Sequence, residues 1–370
     1  MTSLSPGAPV DPAPIVGADG VDAEWMTAVL TGSGALTGGA SVVDVSREPC
    51  GTGQLGDSYR FALTYSADGA GPATVVAKFA SEDATSREFG RTSGYYRSEI
   101  RFYNELAPSL TVSIPTPIYA ALADNQADFV LIMEDLAPAR AVDQLVGCTA
   151  DEAALVLEET AALHAGSWRD PALAATDWLA GPSALFAHVT DNFAGVVSTF
   201  PELCGDLVPD SDLEVARGLI PHAEAWKRVL ADQQCLWHSD IRADNVLFDV
   251  QGGARPVALL DWQGLGYGRG TLDVAAFLGI SMTIEDRRKH ERDLVEVYQR
   301  ALAAGGVDEY DAETCWNDYR MQAIQALTVG VFGLGAVKRT PRGDQMWRVW
   351  IERTAAHVRD LDSYALLAQS

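Results

Sequence analysis

The spacing of hydrophobic positions changes twice along the chain. After a short helix that glycine stops (VDAEWMTAVLTGSG), residues from about Ala40 to Phe79 alternate between hydrophobic and polar in the β-type runs SVVDVS, SYRFALTYS and ATVVAKFA. ADGAGP, a turn signal, separates the last two runs. A helical spacing follows in RSEIRFYNEL (97–106), and IPTPIYAAL and DFVLIMEDL predict two further strands. This front part predicts an antiparallel sheet accompanied by a helix.

The chain after Leu136 has a mostly helical pattern. TADEAALVLEETAALHAGSW predicts an amphipathic helix capped by Thr149, and residues 180–235 and those from about Leu272 onward are also mostly helical. One strand-rich segment, CLWHSDIRADNVLFDVQGGARPVALLDW, interrupts them, and its QGG indicates a hairpin turn. We therefore predict an α+β fold with a mobile arm (1–20), an N-terminal lobe (21–136) and a C-terminal lobe (137–370).

Composition narrows the range of partners. The 370 residues carry a formal net charge of −24, which argues against nucleic acid and anionic membranes, since their phosphates would be repelled. The five cysteines are scattered and form no CxxC pair, a pattern typical of reduced thiols in a cytosolic protein. The most apolar charge-free stretch (321–337) is short and rich in glycine, and no Lys or Arg precedes Arg47. We expect a cytoplasmic protein with no membrane span and no obligate protein partner.

The strongest chemical signal is the segment HSDIRADN (238–245), followed by Asp261 in ALLDWQ. Phosphoryl transfer needs a carboxylate near the attacking hydroxyl and oxygen ligands for magnesium at the phosphates. Asp240 is the candidate catalytic base, and Asn245 and Asp261 are the candidate metal ligands, because magnesium prefers hard oxygen donors. A hairpin that returns to its starting edge brings Asn245 and Asp261 together. The alternative is that an Asp and an Asn cap an ordinary turn.

HSDIRADN resembles the HxDxxxxN catalytic loop of aminoglycoside phosphotransferases, choline kinases and their relatives, and LLDW resembles the strand that ends in their magnesium-binding Asp. The resemblance covers roughly residues 45–340. It implies a two-lobed protein-kinase-like fold, in which a small β-hairpin of a mostly helical C-terminal lobe carries the catalytic loop. It also implies ATP and Mg²⁺ as cofactors and a small-molecule alcohol as the substrate.

A glycine motif, GxGxxG, is formed by Gly51, Gly53 and Gly56. The motif also occurs in dinucleotide folds, which need a helix to start inside it, but here the β-type run DSYRFALTYS follows. Strand, glycine turn and strand is the arrangement of a kinase loop that covers phosphates. An ordinary hairpin turn is the alternative.

Lys78 lies inside the apolar run TVVAKFA. The resemblance implies that it binds the α- and β-phosphates and is oriented by a helix glutamate. Glu99 is the candidate, with Glu105 as the lesser choice, because Glu99 lies three and four residues from Phe102 and Tyr103 and shares their helix face. A surface lysine on an edge strand is the alternative for Lys78.

Four further positions follow from the same resemblance. The segment MEDL is expected to form a hinge whose backbone contacts the adenine base, with Met133, Glu134 and Leu136 as the candidate residues. Asp273 is expected to cap a helix and steady the catalytic loop.

For three aromatic or imidazole side chains, packing in the core is the default expectation: His164, Trp262 and Tyr267.

The substrate branch is indicated by departures from the protein kinases. HRD, DFG and APE segments are missing, and Gln263 stands where aminoglycoside phosphotransferases usually have an acidic residue. DWQ, MEDL and the E-x-x-F-Y helix are similar to the ecdysteroid-kinase-like branch, which implies a small lipophilic alcohol as acceptor. The alternatives are an aminoglycoside or choline/ethanolamine-type phosphotransferase with a cationic substrate, and a nucleotide-binding pseudokinase.

Overall fold

The computed structural model describes residues 13–51, 53, 55–336 and 340–368. The chain forms two compact units. The first, which we call the sheet unit, comprises Met1–Pro108 and Pro115–Leu136, and the second, the helical unit, comprises Ser109–Ile114 and Ala137–Ser370. Residues 109–114 therefore group with the helical unit, although the sequence pattern placed them in the N-terminal lobe. The predicted α+β class is confirmed.

A five-stranded antiparallel sheet in the order β1-β2-β3-β5-β4 forms the sheet unit. Its strands are β1 (Val42–Pro49), β2 (Gly56–Tyr65), β3 (Thr74–Ala80), β4 (Pro117–Leu122) and β5 (Phe129–Glu134). Its helices are α1 (Ala23–Gly32), α2 (Ala84–Thr92) and α3 (Tyr95–Arg101), and α3 continues as a π-helical turn over Phe102–Leu106.

The residues before α1 pack onto this sheet. The Trp25 indole N–H donates to the carbonyl of Pro14 at 2.8 Å, and the Tyr119 hydroxyl donates to that of Ala13 at 2.5 Å. Ile15 and Val16 pack against the core of the sheet unit. The predicted mobile arm is therefore anchored from Ala13 onward, and its residues 1–12 lie outside the described residues.

The helical unit contains short strands among its helices. The strands are β6 (Arg140–Ala141), β7 (Cys235–Trp237), β8 (Val246–Asp249), β9 (Arg255–Leu259) and β10 (Gly266–Gly268). The helices are α4 (Ala150–Ala165), α5 (Pro171–Ala174), α6 (Gly181–Cys204), α7 (Asp210–Arg217), α8 (Ala223–Leu230), α9 (Val250–Gly253), α10 (Thr271–Ser281), α11 (Ile284–Ala304), α12 (Ala312–Ala336), α13 (Pro341–Leu361) and α14 (Ser363–Leu367).

The core of the helical unit lies around α10. All of its residues except Ala276 are buried, and it packs against α12 and α13, while α4 packs against α11. The start of α4 has the predicted cap: Thr149 accepts from the Glu152 backbone N–H, and the Glu152 carboxylate accepts from the Thr149 backbone N–H at 2.8 Å. Among the described helices, none is long and apolar enough to cross a membrane.

Candidate active site

The predicted catalytic base and one predicted metal ligand are in direct contact. Residues 238–245 connect β7 to β8, and Asn245, at the end of this loop, is buried. Asn245 Nδ2 donates to the Asp240 carbonyl oxygen at 2.8 Å and to Asp240 Oδ2 at 3.0 Å. One amide therefore fixes both the backbone and the carboxylate of the candidate base.

The β8–β9 hairpin brings Asp261 back to the same edge. Val246 pairs with Leu259, and the Leu260 N–H donates to the Asn245 carbonyl at 2.9 Å, so Asp261 is the first residue beyond this bond. The predicted QGG turn is confirmed in the connection from β8 to β9. Asp261 has φ 66° and ψ 74°, a left-handed conformation that non-glycine residues keep only where the surroundings fix it.

Asp273 holds the catalytic loop from below. Its side chain is 1% exposed, Oδ2 accepts from the His238 N–H at 2.6 Å, and Oδ1 accepts from the Ser239 N–H at 2.9 Å. Ser239 itself has φ 66°. The predicted steadying role is confirmed, but the predicted helix cap is wrong, because Gly270 occupies the N-cap of α10 and the Asp273 carboxylate is turned to the loop.

Arg242 is a polar residue of the loop that sequence reasoning missed. Its Nε donates to Asp240 Oδ1 at 3.2 Å and its Nη1 to Asp244 Oδ2 at 2.6 Å. Burial acts to lower the pKa of Arg242, but the charges of Asp240, Asp244 and Asp261 raise it overall. The guanidinium is therefore a permanent cation among three carboxylates. The signal available in the sequence was a lone basic residue between two aspartates.

The donors of this edge suit a magnesium ion that is bound together with phosphate. The Asn245 amide nitrogen is engaged by Asp240, which leaves Oδ1 as the atom of that side chain that can meet a cation. Asp261 follows the residue whose N–H donates to the Asn245 carbonyl, so it is the second candidate ligand at this edge. Across the described ranges, no group of three or more His, Cys, Asp or Glu side chains could hold a metal. Magnesium in nucleotide sites uses one or two protein ligands together with water and phosphate oxygens, so this set fits.

In the sheet unit, Lys78 and Glu99 form a buried ion pair. Lys78 Nζ lies 2.9 Å from Glu99 Oε1 and 2.8 Å from Oε2, and the two side chains are 12% and 2% exposed. Glu105, the lesser choice, instead pairs with Arg101 on the surface at 2.6 Å. The structure therefore selects Glu99 as the partner of Lys78, and the edge-strand alternative is wrong because β3 lies between β2 and β5.

The glycine motif lies between two strands, as its neighbours in the sequence predicted. β1 ends at Pro49 and β2 begins at Gly56, so no helix starts in the motif; Thr52 and Gln54 lie outside the described residues. A Cβ on Gly56 would come within 2.9 Å of the Phe79 carbonyl oxygen and 3.1 Å of Lys78 Cε, and Gly51 has φ +79°. The Tyr96 hydroxyl donates to the Leu55 carbonyl at 2.6 Å, which ties the end of the motif to α3.

The predicted hinge residues Met133 and Glu134 end β5, and Leu136 lies just beyond it. Met133 and Leu136 are buried, whereas the Glu134 carboxylate accepts from the Thr116 N–H and hydroxyl at 3.1 Å each. The Glu134 N–H already donates to the Thr116 carbonyl at 2.9 Å, so it is not a donor for adenine in this conformation. Sequence reasoning missed the ion pair of Asp135 with Arg60 Nε at 2.8 Å, which ties the end of β5 to β2.

The default packing roles of three residues are confirmed. Trp262 is buried against the His238 ring at 4.7 Å between centroids. Tyr267 is buried too, and its hydroxyl donates to backbone carbonyls. His164 is fully buried, with hydrogen bonds on both ring nitrogens.

The chain is similar to several solved structures of small-molecule kinases. The ethanolamine kinase of Plasmodium vivax is 11% identical, with 88% of this chain and 84% of that chain covered and a TM-score of 0.49. The choline kinase of Cryptosporidium parvum Iowa II is 12% identical, with 88% and 90% covered and a TM-score of 0.47. The GDP complex of aminoglycoside 2'-phosphotransferase-IIIa is 13% identical, with 92% and 98% covered and a TM-score of 0.46. No curated protein sequence matches the chain.

A family model matches more than half of the chain. The model of the phosphotransferase enzyme family matches residues 56–314. The matched range contains Lys78, Glu99 and all three catalytic candidates of the helical unit, and it confirms the phosphotransferase predicted from HSDIRADN and LLDW. The chain therefore belongs to the phosphotransferase enzyme family.

Proposed function

We propose that the chain is an ATP- and magnesium-dependent kinase that transfers the γ-phosphoryl group to a hydroxyl of a small molecule. The observation that carries this proposal is the contact of Asn245 with Asp240, together with the β8–β9 register that returns Asp261 beside Asn245. A base, an amide oxygen and a carboxylate at one edge are the groups that this reaction needs.

Asp240 accepts the proton of the attacking hydroxyl and orients that hydroxyl toward the phosphorus. Arg242 holds the Asp240 carboxylate through Nε, and Asn245 holds it through Nδ2, so the base is oriented before the substrate arrives. Asn245 and Asp261 are the ligands for Mg²⁺, which supplies charge neutralisation at the phosphates when bound. No covalent enzyme intermediate is needed.

In the sheet unit, the Lys78–Glu99 pair and the glycine motif are the proposed contacts for phosphate. Lys78 Nζ, fixed by Glu99, is the cation for the α- and β-phosphates. Backbone N–H groups around Gly51, Gly53 and Gly56 approach phosphate closely, and Gly56 leaves room beside Lys78 that a side chain would fill. The backbone of the segment around Met133 and Leu136 is the proposed contact for adenine.

The acceptor is proposed to be a small lipophilic alcohol. DWQ, MEDL and the E-x-x-F-Y helix support this branch, and Gln263 in place of an acidic residue argues against an aminoglycoside. Many aromatic side chains of the helical unit are buried and form its core, so they do not by themselves define a pocket. The buried set includes Trp178, Phe193, Phe200 and Trp226.

A library of small alcohols tests the proposal. The protein is incubated with ATP and Mg²⁺ and with panels of hydroxysteroids, aminoglycosides, choline and ethanolamine, and phosphorylated products are detected by their mass. We expect a product from a lipophilic alcohol, formed about a thousandfold more slowly by the Asp240→Asn variant. Phosphorylation of choline or of an aminoglycoside would show that the acceptor is cationic and would contradict the proposed lipophilic alcohol. Nucleotide binding without any phosphorylated product across the library would favour the pseudokinase.

A further inference from the structure

His164, near the end of α4, is a fully buried histidine with a partner on each ring nitrogen. Nδ1 lies 2.8 Å from the Tyr298 hydroxyl, and Nε2 lies 3.2 Å from Asp273 Oδ2. The His164 ring can occupy this position because residue 270 is glycine: a Cβ there would come within 2.6 Å of His164 Nδ1. The three side chains of this relay, Tyr298, His164 and Asp273, come from α11, α4 and α10.

The partners fix which ring nitrogen carries the proton. Burial raises the pKa of Tyr298 well above its usual value, so its hydroxyl keeps the proton and donates to Nδ1. Nε2 faces the Asp273 carboxylate, which can only accept, so Nε2 carries a hydrogen and donates to Asp273. If the proton moved to Nδ1, the Nε2 lone pair would face the carboxylate and the contact would become repulsive.

The relay ends on the carboxylate that orients the catalytic loop. Asp273 Oδ2, which receives His164, also accepts from the His238 N–H, and Oδ1 accepts from the Ser239 N–H. Ser239 has positive φ and directly precedes Asp240. A residue held in a sparsely populated conformation needs fixed surroundings, and a carboxylate that can rotate does not supply them.

We propose that His164, with its tautomer set by Tyr298, is a positioning residue: it holds Asp273 in the orientation that fixes the loop carrying Asp240. The effect on turnover rests on the proposed function, whereas the effect on the loop amides does not.

The chain contains a matched control pair. His357 is also fully buried, and its Nε2 lies 2.8 Å from the Tyr319 hydroxyl. That hydroxyl donates to Glu291 Oε2 at 2.9 Å, so this pair leads to α11 and not to the catalytic loop. Substitutions at His357 and Tyr319 therefore report the cost of disturbing a buried histidine–tyrosine pair as such.

Hydrogen exchange at the His238 and Ser239 amides tests the proposal without turnover. We expect His164→Leu to accelerate their exchange about tenfold or more. Asp273 then loses one of its donors, and its carboxylate is no longer a rigid acceptor for the two loop amides. His164→Gln, which keeps a donor toward Asp273 and an acceptor for Tyr298, should restore most of the protection. Tyr298→Phe should give an intermediate effect. His357→Leu and Tyr319→Phe should leave these two amides unchanged.

Steady-state kinetics of the same variants provide the second readout. We expect His164→Leu to lower kcat about tenfold or more with the KM for ATP within about twofold, and His164→Gln to recover most of kcat. Wild-type exchange rates in a folded His164→Leu protein would overturn the proposal, as would equal acceleration in the His357 control. If His164→Leu does not fold, Tyr298→Phe decides by the same criterion. If the wild type phosphorylates no alcohol, the proposed function fails and the exchange data still decide the role of His164.

Discussion

The side-chain amide of Asn245 donates to Asp240 at two points, 2.8 Å from its carbonyl oxygen and 3.0 Å from Oδ2. The candidate metal ligand and the candidate base are therefore not independent, because the nitrogen of one side chain positions the other. The geometry explains why an amide, with a donor and an acceptor on one carbon, is suited to this position where a carboxylate could only accept.

The buried pair in the sheet unit should control nucleotide affinity. We predict that Glu99→Gln raises the dissociation constant of Mg·ATP about tenfold, since Lys78 loses the charge that orients it. Glu105→Gln is the matched control: its carboxylate pairs with Arg101 on the surface, and the change should stay within about twofold. Isothermal titration calorimetry measures both. Equal effects of the two substitutions would contradict the role of Glu99.

Asp261 should matter for nucleotide binding only when magnesium is present. We predict that Asp261→Asn weakens binding of ATP about tenfold or more in Mg²⁺ and leaves binding in EDTA unchanged, because one hard charged ligand is lost. Asparagine tolerates the left-handed backbone at this position. Asp249→Asn is the control, since Asp249 also has positive φ but pairs with Arg140 on the surface of the same hairpin. A magnesium-independent loss would reject Asp261 as a ligand.

Arg242 should act through the orientation of Asp240. We predict that Arg242→Gln lowers kcat roughly tenfold to a hundredfold, as the loss of a charged contact to the base should. Arg242→Lys should recover only part of the rate, because a single ammonium cannot hold Asp240 and Asp244 in the same fork. Turnover by both variants at wild-type rates would show that the guanidinium is not needed.

His357 should make the fold sensitive to acid. Burial and the charge of Arg287 lower the pKa of His357 well below its usual 6.5, so the folded protein keeps the ring neutral while the unfolded chain takes up a proton. Stability is therefore full above about pH 6.5 and falls as the pH drops below it, by up to ~1.4 kcal/mol per pH unit. We predict that the free energy of unfolding falls from pH 7.5 to 5.5 and falls less in His357→Gln. Parallel curves from urea titrations would contradict this assignment.

Contacts that follow a local period were predictable from the sequence. Glu99 was selected over Glu105 because it shares a helix face with Phe102 and Tyr103, and both of these are buried. Asn245 and Asp261 were joined by a hairpin whose turn is marked by QGG. The segments that contain these two residues also indicated the phosphotransferase family, and the family model that matches residues 56–314 confirms it.

Contacts between distant elements were not predictable in this way. Arg60 with Asp135 and His164 with Asp273 connect positions 75 and 109 residues apart, and no periodicity of either segment indicates the partner. The strand β10, Gly266–Gly268, was missed because two of its three residues are glycine, which disfavours strands; its pairing with β7 overrides that propensity. The helix α2 was missed because its sequence is mostly polar.

Replacing the carboxylate of Asp240 tests the central claim most directly. Asp240→Asn preserves the shape of the side chain but removes the proposed proton acceptor, and it leaves one acceptor oxygen where Arg242 and Asn245 now meet two. Asp244→Asn, in the same loop, is the control. Once an accepted alcohol is known, single-turnover kinetics and Mg·ATP binding are measured on both variants. We predict that Asp240→Asn slows phosphoryl transfer by about a thousandfold or more with ATP affinity within about twofold, and that Asp244→Asn slows it by less than about tenfold. Near wild-type transfer by Asp240→Asn would contradict the account.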